Sequence, residues 1–341
     1  MAVLWTDVIT PAELTGYARE SLAAYEARQG TLARWLPNRE VNDVAVRFVA
    51  GQSGLVEEAR YRAYDAEPEI GAPQPGRRVS IELPAVSQEI PVSEYQQLRE
   101  RNAGDQAILS AVLRTTDSVV RAIADRVERT RGVVLNTGKA TINQSNFVSD
   151  DDFGRDPALT VTAGTLWSAA DADPLEYLTT LFDLYVSKAG QEPGAMLMGN
   201  RVLRQFAGSP GMVTQLANGA SRPATFEQAQ QTITGHGLPE ITRYNRRTKS
   251  GLVLPDDRVL FLPAPVDVND AEGTELGATF WGQTLTASDS DFGLEATEDM
   301  AGIVAGVWRN QKPPMIAEVI GDSISLPVLA NANLSLSAKV L

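Results

Sequence analysis

The sequence predicts an α+β fold, because segments with helical and with strand patterns alternate along the chain. The clearest single element is a long amphipathic helix predicted for residues 105–131. Helix and strand signals then alternate between residues 173 and 309, and the tail at 315–341 consists almost entirely of residues that favour β-structure. A chain of 341 residues is long enough for two domains.

Composition excludes several classes of function. The chain contains no cysteine and a single histidine, His236, which leaves no room for disulfides, thiolate metal sites or histidine-based metal clusters. The net charge of −13 gives no electrostatic footprint for tight binding of nucleic acid. No apolar run is long enough to span a membrane and residues 1–10 lack the pattern of a signal peptide, so we expect synthesis inside the cell.

Residues 1–40 are predicted to form an arm that contains one helix. The sequence TPAE at residues 10–13 has the pattern of a capping box that opens this helix, and Gly30 ends it. Trp5 and Trp35 are large apolar residues with little local core to join. They are expected either to pack on the main domain of their own chain or to contact a neighbouring subunit, and the sequence leaves both alternatives open.

Residues 41–95 have the pattern of an extended hairpin. Its alternating apolar positions are Val44, Val46, Phe48, Val79, Ile81 and Leu83. Two long arms, 57–70 and 77–90, enclose a turn-rich tip at 71–76 and share too few apolar residues to bury a core. Because an isolated two-stranded ribbon is marginally stable in water, we expect this hairpin to lie on another surface. A second copy of the protein is the simplest candidate.

The helix predicted at 105–131 carries one apolar stripe and one charged face. Its apolar residues recur at steps of three and four: Ile108, Leu109, Val112, Leu113, Val119, Val120, Ile123 and Val127. The charged face is a ladder of alternating sign: Asp117, Arg121, Asp125 and Arg129. We expect the stripe to lie on a sheet, and the ladder to face solvent, a neighbouring subunit or the interior of an assembly. With Asp105 as N-cap and Gly132 as the stop, the helix makes a rod of about 40 Å.

The remaining segments complete the α+β pattern. Residues 133–156 are predicted to be a polar loop with an acidic run at 150–152. A second helix begins at Asp173-Pro174 and closes at Gly190. Further signals predict a buried strand at 195–198, helices at 201–206, 210–216 and 224–233, and strands at 241–244, 252–254, 259–262, 278–285 and 303–309. The tail at 315–341 is expected to supply strands that are buried in the first domain and close a sheet begun much earlier.

Each motif that could carry chemistry lacks a required part. The sequence GVVLNTGKA at 132–140 has five residues between its glycines and alanine after its lysine, whereas a phosphate-binding loop has four residues there and Ser or Thr. Asp-Phe-Gly occurs at 152–154 and at 291–293 without the other kinase motifs. The acidic run at 150–152 lacks the ligand spacing of a calcium loop, and His236 has no serine elbow to serve. The sequence therefore predicts no catalytic residue, no metal site, no cofactor and no enzyme.

Short motifs along the chain occur in an order that matches a known family. They are AEPEIG at 66–71, PQPG at 73–76, LP at 83–84, IPVSEY at 90–95, GLPEI at 237–241, LPDDRVLFLP at 254–263, KPP at 312–314 and LPVLAN at 326–331. Together with the order of arm, hairpin, long helix, α+β domain and β tail, they resemble the tailed-bacteriophage major capsid proteins of the Hong Kong 97 fold. The similarity is greatest to the lambda-type major capsid protein E family, and it covers essentially the whole chain.

The resemblance implies an organisation for the subunit. It implies an N-terminal arm at 1–40, an extension loop with flanking peripheral-domain strands at 41–95, a peripheral domain at 96–174 with the spine helix at 105–131, an axial domain at 175–305, and a hinge strand with closing peripheral-domain strands at 306–341. The extension loop is expected to lie over a neighbouring subunit. Its candidate contacts are Glu67, Glu69, Arg77 and Arg78, to which the arm adds Trp5 and Trp35.

The resemblance also implies a function. The chain is expected to be a structural major capsid protein that assembles with itself as hexamers and pentamers into an icosahedral head shell. The shell would enclose DNA without sequence-specific binding, belong to the virion, and be built from subunits made in the cytoplasm of the bacterial host. Because the arm begins almost at Met1, scaffolding is expected to be a separate protein. A portal protein is a further expected partner, and a decoration protein is compatible with the resemblance.

Two alternatives remain open at the level of sequence. An encapsulin-like compartment shell shares the fold but encloses cargo enzymes, and small uniform particles would favour it. A soluble hydrolase that uses only carboxylates, such as a glycosidase with paired acidic residues, belongs to a different class. It would be a stable monomer with hydrolase activity, whereas a capsid protein would form shells, sheets or capsomers.

The distribution of lysine yields a first prediction. Some capsid proteins of this fold join subunits through isopeptide bonds from an extension-loop lysine, but residues 1–138 of this chain contain no lysine. We therefore expect assembled particles, boiled in detergent, to run on a gel as one band near 36.7 kDa. A ladder of covalent multimers would contradict this expectation.

Overall fold

The computed structural model of the protein describes residues 5–50, 77–100, 105–144, 147–210, 212, 223–268, 274–289, 301–310 and 312–341. It confirms the α+β fold class, with two five-stranded sheets and three two-stranded ribbons in this part of the chain. The helices are α1 (Pro11–Gln29), α2 (Glu94–Glu100), α3 (Asp105–Thr137), α4 (Pro174–Ala189), α5 (Asn200–Ala207) and α6 (Phe226–Gly235).

The strands fall into the two halves of the chain on either side of α4. The first seven are β1 (Asn38–Glu40), β2 (Ala45–Ala50), β3 (Arg77–Glu82), β4 (Ala85–Val92), β5 (Lys139–Gln144), β6 (Phe147–Asp152) and β7 (Thr160–Thr162). The others are β8 (Ala195–Met198), β9 (Ile241–Arg243), β10 (Arg247–Thr248), β11 (Gly251–Leu252), β12 (Arg258–Leu262), β13 (Gly277–Gly282), β14 (Val304–Arg309), β15 (Ala317–Leu329) and β16 (Leu336–Lys339).

The first sheet is built around β15. This strand pairs antiparallel with β4, β13 and β14, and β1 joins β13 in parallel. Ile320, in the middle of β15, lies opposite Glu89 of β4 on one side and Gly306 of β14 on the other. The expectation that the tail closes a sheet begun much earlier is confirmed for β15, because its partner β4 precedes the long helix.

The second sheet has the order β7-β16-β12-β8-β9. Strand β16 belongs to this sheet and not to the first, so the tail at 315–341 is divided between the two sheets. A short 3-10 helix at Ala332–Leu334 separates β15 from β16 and redirects the chain. Strand β13 lies within residues 175–305, the range predicted for the axial domain. It nevertheless pairs with β15 and so belongs to the first sheet.

Helix α3 contributes to two hydrophobic cores. The first core lies between α1, α3 and the first sheet, and α3 supplies it with buried residues from Ile108 to Val127. The second core surrounds the second sheet and includes Val134 and Leu135 of α3. The predicted apolar stripe is confirmed at six of its eight positions, while Leu109 and Leu113 are half-buried at its edge. The helix therefore packs on the first sheet, as expected, but its last turns serve the second core.

The predicted end of this helix at Gly132 is wrong. Helix α3 has 33 residues, about 50 Å, and ends where Gly138 adopts a φ of 73°. Gly132 is buried inside the helix, where a Cβ atom would lie 2.5 Å from the carbonyl oxygen of Val253. Gly132 is therefore required by the close approach of α3 to the backbone at Val253, and it does not end the helix. The sequence alone does not distinguish these two roles of a glycine.

The prediction of a polar loop at 133–156 is also wrong. After α3 the chain forms an antiparallel ribbon, in which Lys139 of β5 lies opposite Asp152 of β6. The acidic run at 150–152 is part of β6. The ribbon is polar on its outer side and buries Ala140 and Ile142 on the other. Because the ribbon has few apolar residues, its sequence has the pattern of a loop.

The local signals for helix ends are confirmed where they were strongest. The Thr10 side chain accepts a hydrogen bond from the Glu13 backbone, and the Glu13 carboxylate accepts one from the Thr10 backbone, which completes the capping box of α1. Asp173 caps α4 through the backbone N–H groups of its first turn, and Gly190 ends that helix in the left-handed region. The helix predicted at 210–216 lies almost entirely outside the described residues.

The close approach at Gly132 predicts opposite effects for two helical glycines. Gly132→Ala should lower the free energy of unfolding by about 1–3 kcal/mol, because the new methyl group overlaps Val253. Gly16→Ala should raise it by about 0.5–1 kcal/mol, because a Cβ there meets no atom within 4 Å and alanine favours the helix. Thermal or urea unfolding of both variants measures the difference. Equal shifts would contradict the packing role of Gly132.

Candidate assembly surface and the buried network behind it

Helix α1 lies along the charged face of α3. The Tyr17 hydroxyl and the Ser21 hydroxyl both donate to the Asp117 carboxylate, at 3.2 and 2.6 Å, and the Tyr25 hydroxyl donates to Asp125 at 3.0 Å. Burial and the neighbouring carboxylates raise the pKa of both tyrosines. Both carboxylates of the charge ladder therefore face the arm helix of the same chain. The expectation that the whole ladder faces solvent, another subunit or the interior of an assembly is therefore wrong. The hydroxyl groups of α1 recur every four residues, the same spacing as the charges of the ladder, so the two helices pair along this face.

A buried arginine links α1, α3 and the first sheet. Arg131 Nη1 donates to Glu26 Oε1 at 2.6 Å and to Glu128 Oε2 at 3.2 Å, and all three side chains are at most 2% exposed. Arg131 Nε donates to Thr279 Oγ1 of β13 at 2.8 Å, and Nη2 donates to Asn38 Oδ1 of β1 at 2.5 Å. Although burial opposes the charge, the two carboxylates outweigh it and raise the pKa of Arg131. The guanidinium is thus fully paired inside the protein.

The same network reaches the second sheet through Glu128. Its Oε1 accepts from the Tyr244 hydroxyl at 2.6 Å and from the Leu32 backbone at 2.8 Å. Tyr244 directly follows β9, and burial together with the Glu128 carboxylate raises the pKa of its phenol. Arg246 pairs with Asp125 at 3.0 Å and lies 3.6 Å from Glu128. Glu128 is therefore the point at which α3 is fixed to both sheets.

A second arginine holds the carboxyl end of α3. Arg155 Nη1 donates to the carbonyl of Asn136 at 3.0 Å, and Nη2 donates to the carbonyl of Leu135 at 2.6 Å and to Ser335 Oγ at 2.7 Å. The last carbonyls of a helix lack partners within it and carry partial negative charge, so a cation there is favourable. Burial lowers the pKa of Arg155; these acceptors satisfy both Nη groups, whereas its buried Nε donates no hydrogen bond to the described residues.

The tryptophans proposed as intersubunit contacts pack inside their own chain. Trp5 and Trp35 are each 2% exposed, Trp5 in the first core and Trp35 in the second. The Trp35 indole N–H donates to the carbonyl of Pro263 at 3.0 Å. Their prediction as contacts is corrected, because the arm folds back onto α3 and buries both rings.

The hairpin candidates have different positions. Glu67 and Glu69 lie outside the described residues. Arg77 and Arg78 lie at the end of β3 that is farther from the core, opposite Ala50 and Val49 of β2. At the other end of this ribbon, Val46 lies opposite Ile81, and both are buried in the second core. The ribbon is thus anchored at its base on its own subunit.

Among the exposed large apolar side chains in the described part of the chain, two groups bring neighbouring side chains together. Tyr95 and Leu98 of α2 are 72% and 54% exposed, and Met315 is next to them, since the Gln97 side chain donates to its carbonyl. Phe147 and Val148, at the tip of the β5–β6 ribbon, are 43% and 73% exposed. Exposed apolar patches of this kind are typical of protein–protein contacts.

Within the described residues, the motifs that lack a part required for chemistry occupy structural positions, and the Asp-Phe-Gly at 291–293 lies outside them. Lys139, from the incomplete phosphate-binding loop, pairs with Asp152 at 2.8 Å. Phe153 is buried in the second core, and His236 ends α6 on the surface. In the described part of the chain, no group of three or more acidic or histidine side chains is placed to hold a metal ion. None of its helices combines the length and apolar content needed to cross a membrane.

Sequence reasoning missed the network residues, although a signal for them exists. Arg131 lies four residues after Val127 and three before Val134, so it falls on the apolar stripe of α3. A charged residue in register with a buried stripe indicates a buried ion pair. Glu128, three residues earlier on the same helix, has the spacing of a pair, but Glu26 could not be identified from spacing, because it is 105 residues away.

The chain has a match among protein families. The profile of phage major capsid protein E matches residues 11–340. No curated protein sequence matches the chain.

Several solved structures share the fold. A protein assigned as a prophage capsid protein of Escherichia coli CFT073 superposes with a TM-score of 0.62 at 14% identity, over 98% of this chain and 99% of that one. A phage-related protein from Bordetella bronchiseptica RB50 gives 0.55 at 12% identity, over 96% and 95%. The capsid of the Myoviridae phage XM1 gives 0.51 at 10% identity, over 91% and 90%. At these identities the similarity establishes the fold.

The buried network predicts a large difference between two arginine variants. Arg131→Met leaves Glu26 and Glu128 buried without their cation and should lower the free energy of unfolding by about 3–5 kcal/mol. Arg201→Met removes an exposed ion pair with Asp256 and should lower it by less than about 1 kcal/mol. Urea unfolding of the two variants tests this. A loss for Arg131→Met as small as that of Arg201→Met would show that the network is dispensable.

Proposed function

The chain belongs to the phage major capsid protein E family, and from this premise we propose that it assembles as hexamers and pentamers into the icosahedral head shell of a phage. The observation that carries the proposal is the family match over residues 11–340, nearly the whole chain. A structural role in the capsid shell follows from membership of this family. Membership also implies a structural protein rather than an enzyme, and a place in the virion.

The β2–β3 ribbon supports a contact between subunits. Its base is fixed by Val46 and Ile81 in the second core, whereas Arg77 and Arg78 lie at its outer end. A ribbon anchored at one end on its own subunit can extend in a defined direction toward a neighbour. Within this proposal, Glu67, Glu69, Arg77 and Arg78 form charge pairs with a neighbouring copy.

Helix α3 suits the role of a spine in a thin shell wall. It is about 50 Å long and is held by both cores and by Arg155 at its end. Within this proposal, the first sheet forms the peripheral domain and most of the second sheet forms the axial domain around the centres of hexamers and pentamers. Both sheets then move as one body, since α3 is packed into both.

The proposed partners follow from the same role. They are other copies of the chain, a separate scaffolding protein, a portal protein and, in a decorated shell, a decoration protein. The net charge of −13 is consistent with a capsid shell that encloses DNA without binding it tightly. Family membership favours this reading over an encapsulin-like compartment and over a carboxylate-dependent hydrolase.

The proposal predicts higher-order particles that depend on the ribbon. The chain, expressed in bacteria with and without a candidate scaffolding protein from the same genome, is purified and examined by size-exclusion chromatography and negative-stain microscopy. We expect capsomers, sheets or shells, with uniform shells only when the scaffolding protein is present. Arg77→Glu with Arg78→Glu should impair assembly and leave the thermal unfolding temperature of the subunit unchanged.

Three outcomes would contradict parts of this proposal. A stable monomer with hydrolase activity would contradict the assembly role itself. Uniform shells from the chain alone would contradict a separate scaffolding protein. Normal shells from the Arg77 and Arg78 variant would contradict the contact proposed for the ribbon.

A further inference from the structure

Strand β4 forms an open edge of the first sheet. It pairs with β15 on one side, and no described strand pairs with its other side. The Ser325 backbone N–H donates to the carbonyl of Pro84, which fixes the alternation of this antiparallel ladder. Even-numbered residues of β4 therefore bond to β15, while Ala85, Ser87 and Glu89 direct their backbone N–H and C=O groups outward. None of these three N–H groups donates to a described residue.

Side chains close two other sheet edges of the subunit. At the outer edge of β14, the Thr15 hydroxyl accepts from the Ala305 N–H and donates to the Ala305 carbonyl, both at 3.1 Å. At β9, Gln230 Oε1 accepts from the Ile241 N–H at 2.9 Å. No described side chain does this for the outward N–H groups of β4. The strand has eight residues, no lysine and no bulge, and its proline, Pro91, lies near its end, so the edge is a template for another strand.

The surroundings of β4 leave room for a second strand. Val86 and Ile90 pack against the first core on the side of α3, whereas Ser87 and Glu89 are exposed. A groove of about 1030 Å³ lies beside the first half of β4, bounded by residues 82–88, α3 and the β5–β6 ribbon. A strand placed along β4 therefore reaches its backbone, and the groove accepts side chains of that strand that point toward α3.

We propose that β4 pairs antiparallel with β4 of a second copy of the chain, across a two-fold axis at Ser87. The first sheets of the two subunits then form one continuous sheet. A two-fold interface brings the same surface of both copies together and must therefore be complementary to itself. In this register Ser87 lies opposite Ser87 of the second copy, and Ala85 lies opposite Glu89. Each outward N–H and C=O group of these residues then has a partner.

The sequence around β4 selects this register. A shift of the strands by two residues in one direction pairs Ala85 with Pro91, which has no N–H. The shift in the other direction pairs Glu89 with Leu83, whose N–H already donates to the carbonyl of Val44. The proposed register also places Glu89 opposite Ala85, and not opposite the same carboxylate of the second copy, which would be unfavourable.

The exposed apolar side chains of α2 fit the same contact. In the proposed register Val92 of one copy comes level with Glu82 of the other, a residue that lines the groove. Helix α2 begins two residues after β4 and carries the exposed side chains of Tyr95 and Leu98. The pairing therefore brings α2 of each copy toward the groove of the other, whose lining includes the exposed ring of Phe147. Apolar groups that are exposed in the single subunit thus meet across the interface.

A second copy is the occupant that these features favour. Each copy supplies both the open edge and the strand that completes it, so the contact requires no other protein. The inference rests on the proposed assembly function, which places many copies of the subunit side by side. The β2–β3 ribbon of a neighbouring copy is the competing occupant. Pairing of β4 with itself is favoured over the ribbon, because it also accounts for the exposed side chains of α2.

The absence of cysteine from the chain makes disulfide formation a direct test. Opposite residues in a hydrogen-bonded antiparallel pair have Cα atoms about 5.5 Å apart, within the range of a disulfide. Particles of Ser87→Cys, oxidised with copper phenanthroline, should run on a non-reducing gel mainly as a dimer of the 36.7 kDa chain and return to monomer on reduction. Ser93→Cys, an exposed serine just beyond β4, should stay monomeric, because its two copies would lie about 40 Å apart.

A pair of cysteines tests the register. Ala85→Cys with Glu89→Cys in one chain should form the dimer as efficiently as Ser87→Cys, because these two positions face each other across the axis. Each of the two substitutions alone should give no dimer, since the two copies of either position would lie about 14 Å apart along the strand.

Proline tests whether the pairing is needed for assembly. Ser87→Pro removes an N–H group that the single subunit does not use, so the temperature of thermal unfolding should stay nearly unchanged while the yield of particles falls about tenfold or more. Gln88→Pro is the matched control. It removes the N–H of a residue that bonds to Gly321 of β15, and it should lower the unfolding temperature of the subunit itself.

Failure of this contact is distinguishable from failure of assembly. Particles of Ser87→Cys that yield no dimer on oxidation would overturn the inference and leave the assembly function intact. A dimer that forms only in mixed particles of Ser87→Cys and Ser80→Cys chains would assign the edge to the β2–β3 ribbon. Wild-type yields of particles from Ser87→Pro would show that assembly does not use the pairing. Absence of particles from the wild-type chain would instead contradict the assembly function, on which the inference rests.

Discussion

The burial of Arg131 between two hydrophobic cores is the constraint on which the rest of the subunit depends. An arginine in this position is stable only if carboxylates and neutral acceptors surround it. Those groups come from Glu26 of α1, Glu128 of α3, Asn38 of β1 and Thr279 of β13. Compensation of one charge therefore fixes the arm helix, the spine and the first sheet relative to one another.

Glu128 extends this constraint to the second half of the protein. By accepting from Tyr244 it fixes the segment after β9, and the Asp125–Arg246 pair strengthens the same junction. Arginine side chains of that segment therefore lie directly beside the buried polar layer. A shell subunit gains from this arrangement, because forces on either sheet are transmitted through α3 rather than through a flexible linker.

How far the sequence could predict this protein depends on how local each signal is. The caps at Thr10 and Asp173 and the stripe on α3 were predicted, because each depends on residues within one or two turns. Gly132 was misread because close packing against Val253 leaves no local trace. For Trp5 and Trp35 the sequence leaves open packing on their own chain or contact with a neighbour, because the surface that buries them comes from distant parts of the chain.

The sequence by itself determined the α+β class, the order of elements, the absence of disulfides and the family resemblance, because composition, periodicity and motif order are properties of the chain alone. Only the tertiary structure decided which strands share a sheet, where α3 ends and which charges are buried. The physical reason is that hydrogen bonding between strands and compensation of buried charge join residues separated by a hundred positions or more. Such pairings are selected by the packing of the whole subunit and not by any one segment.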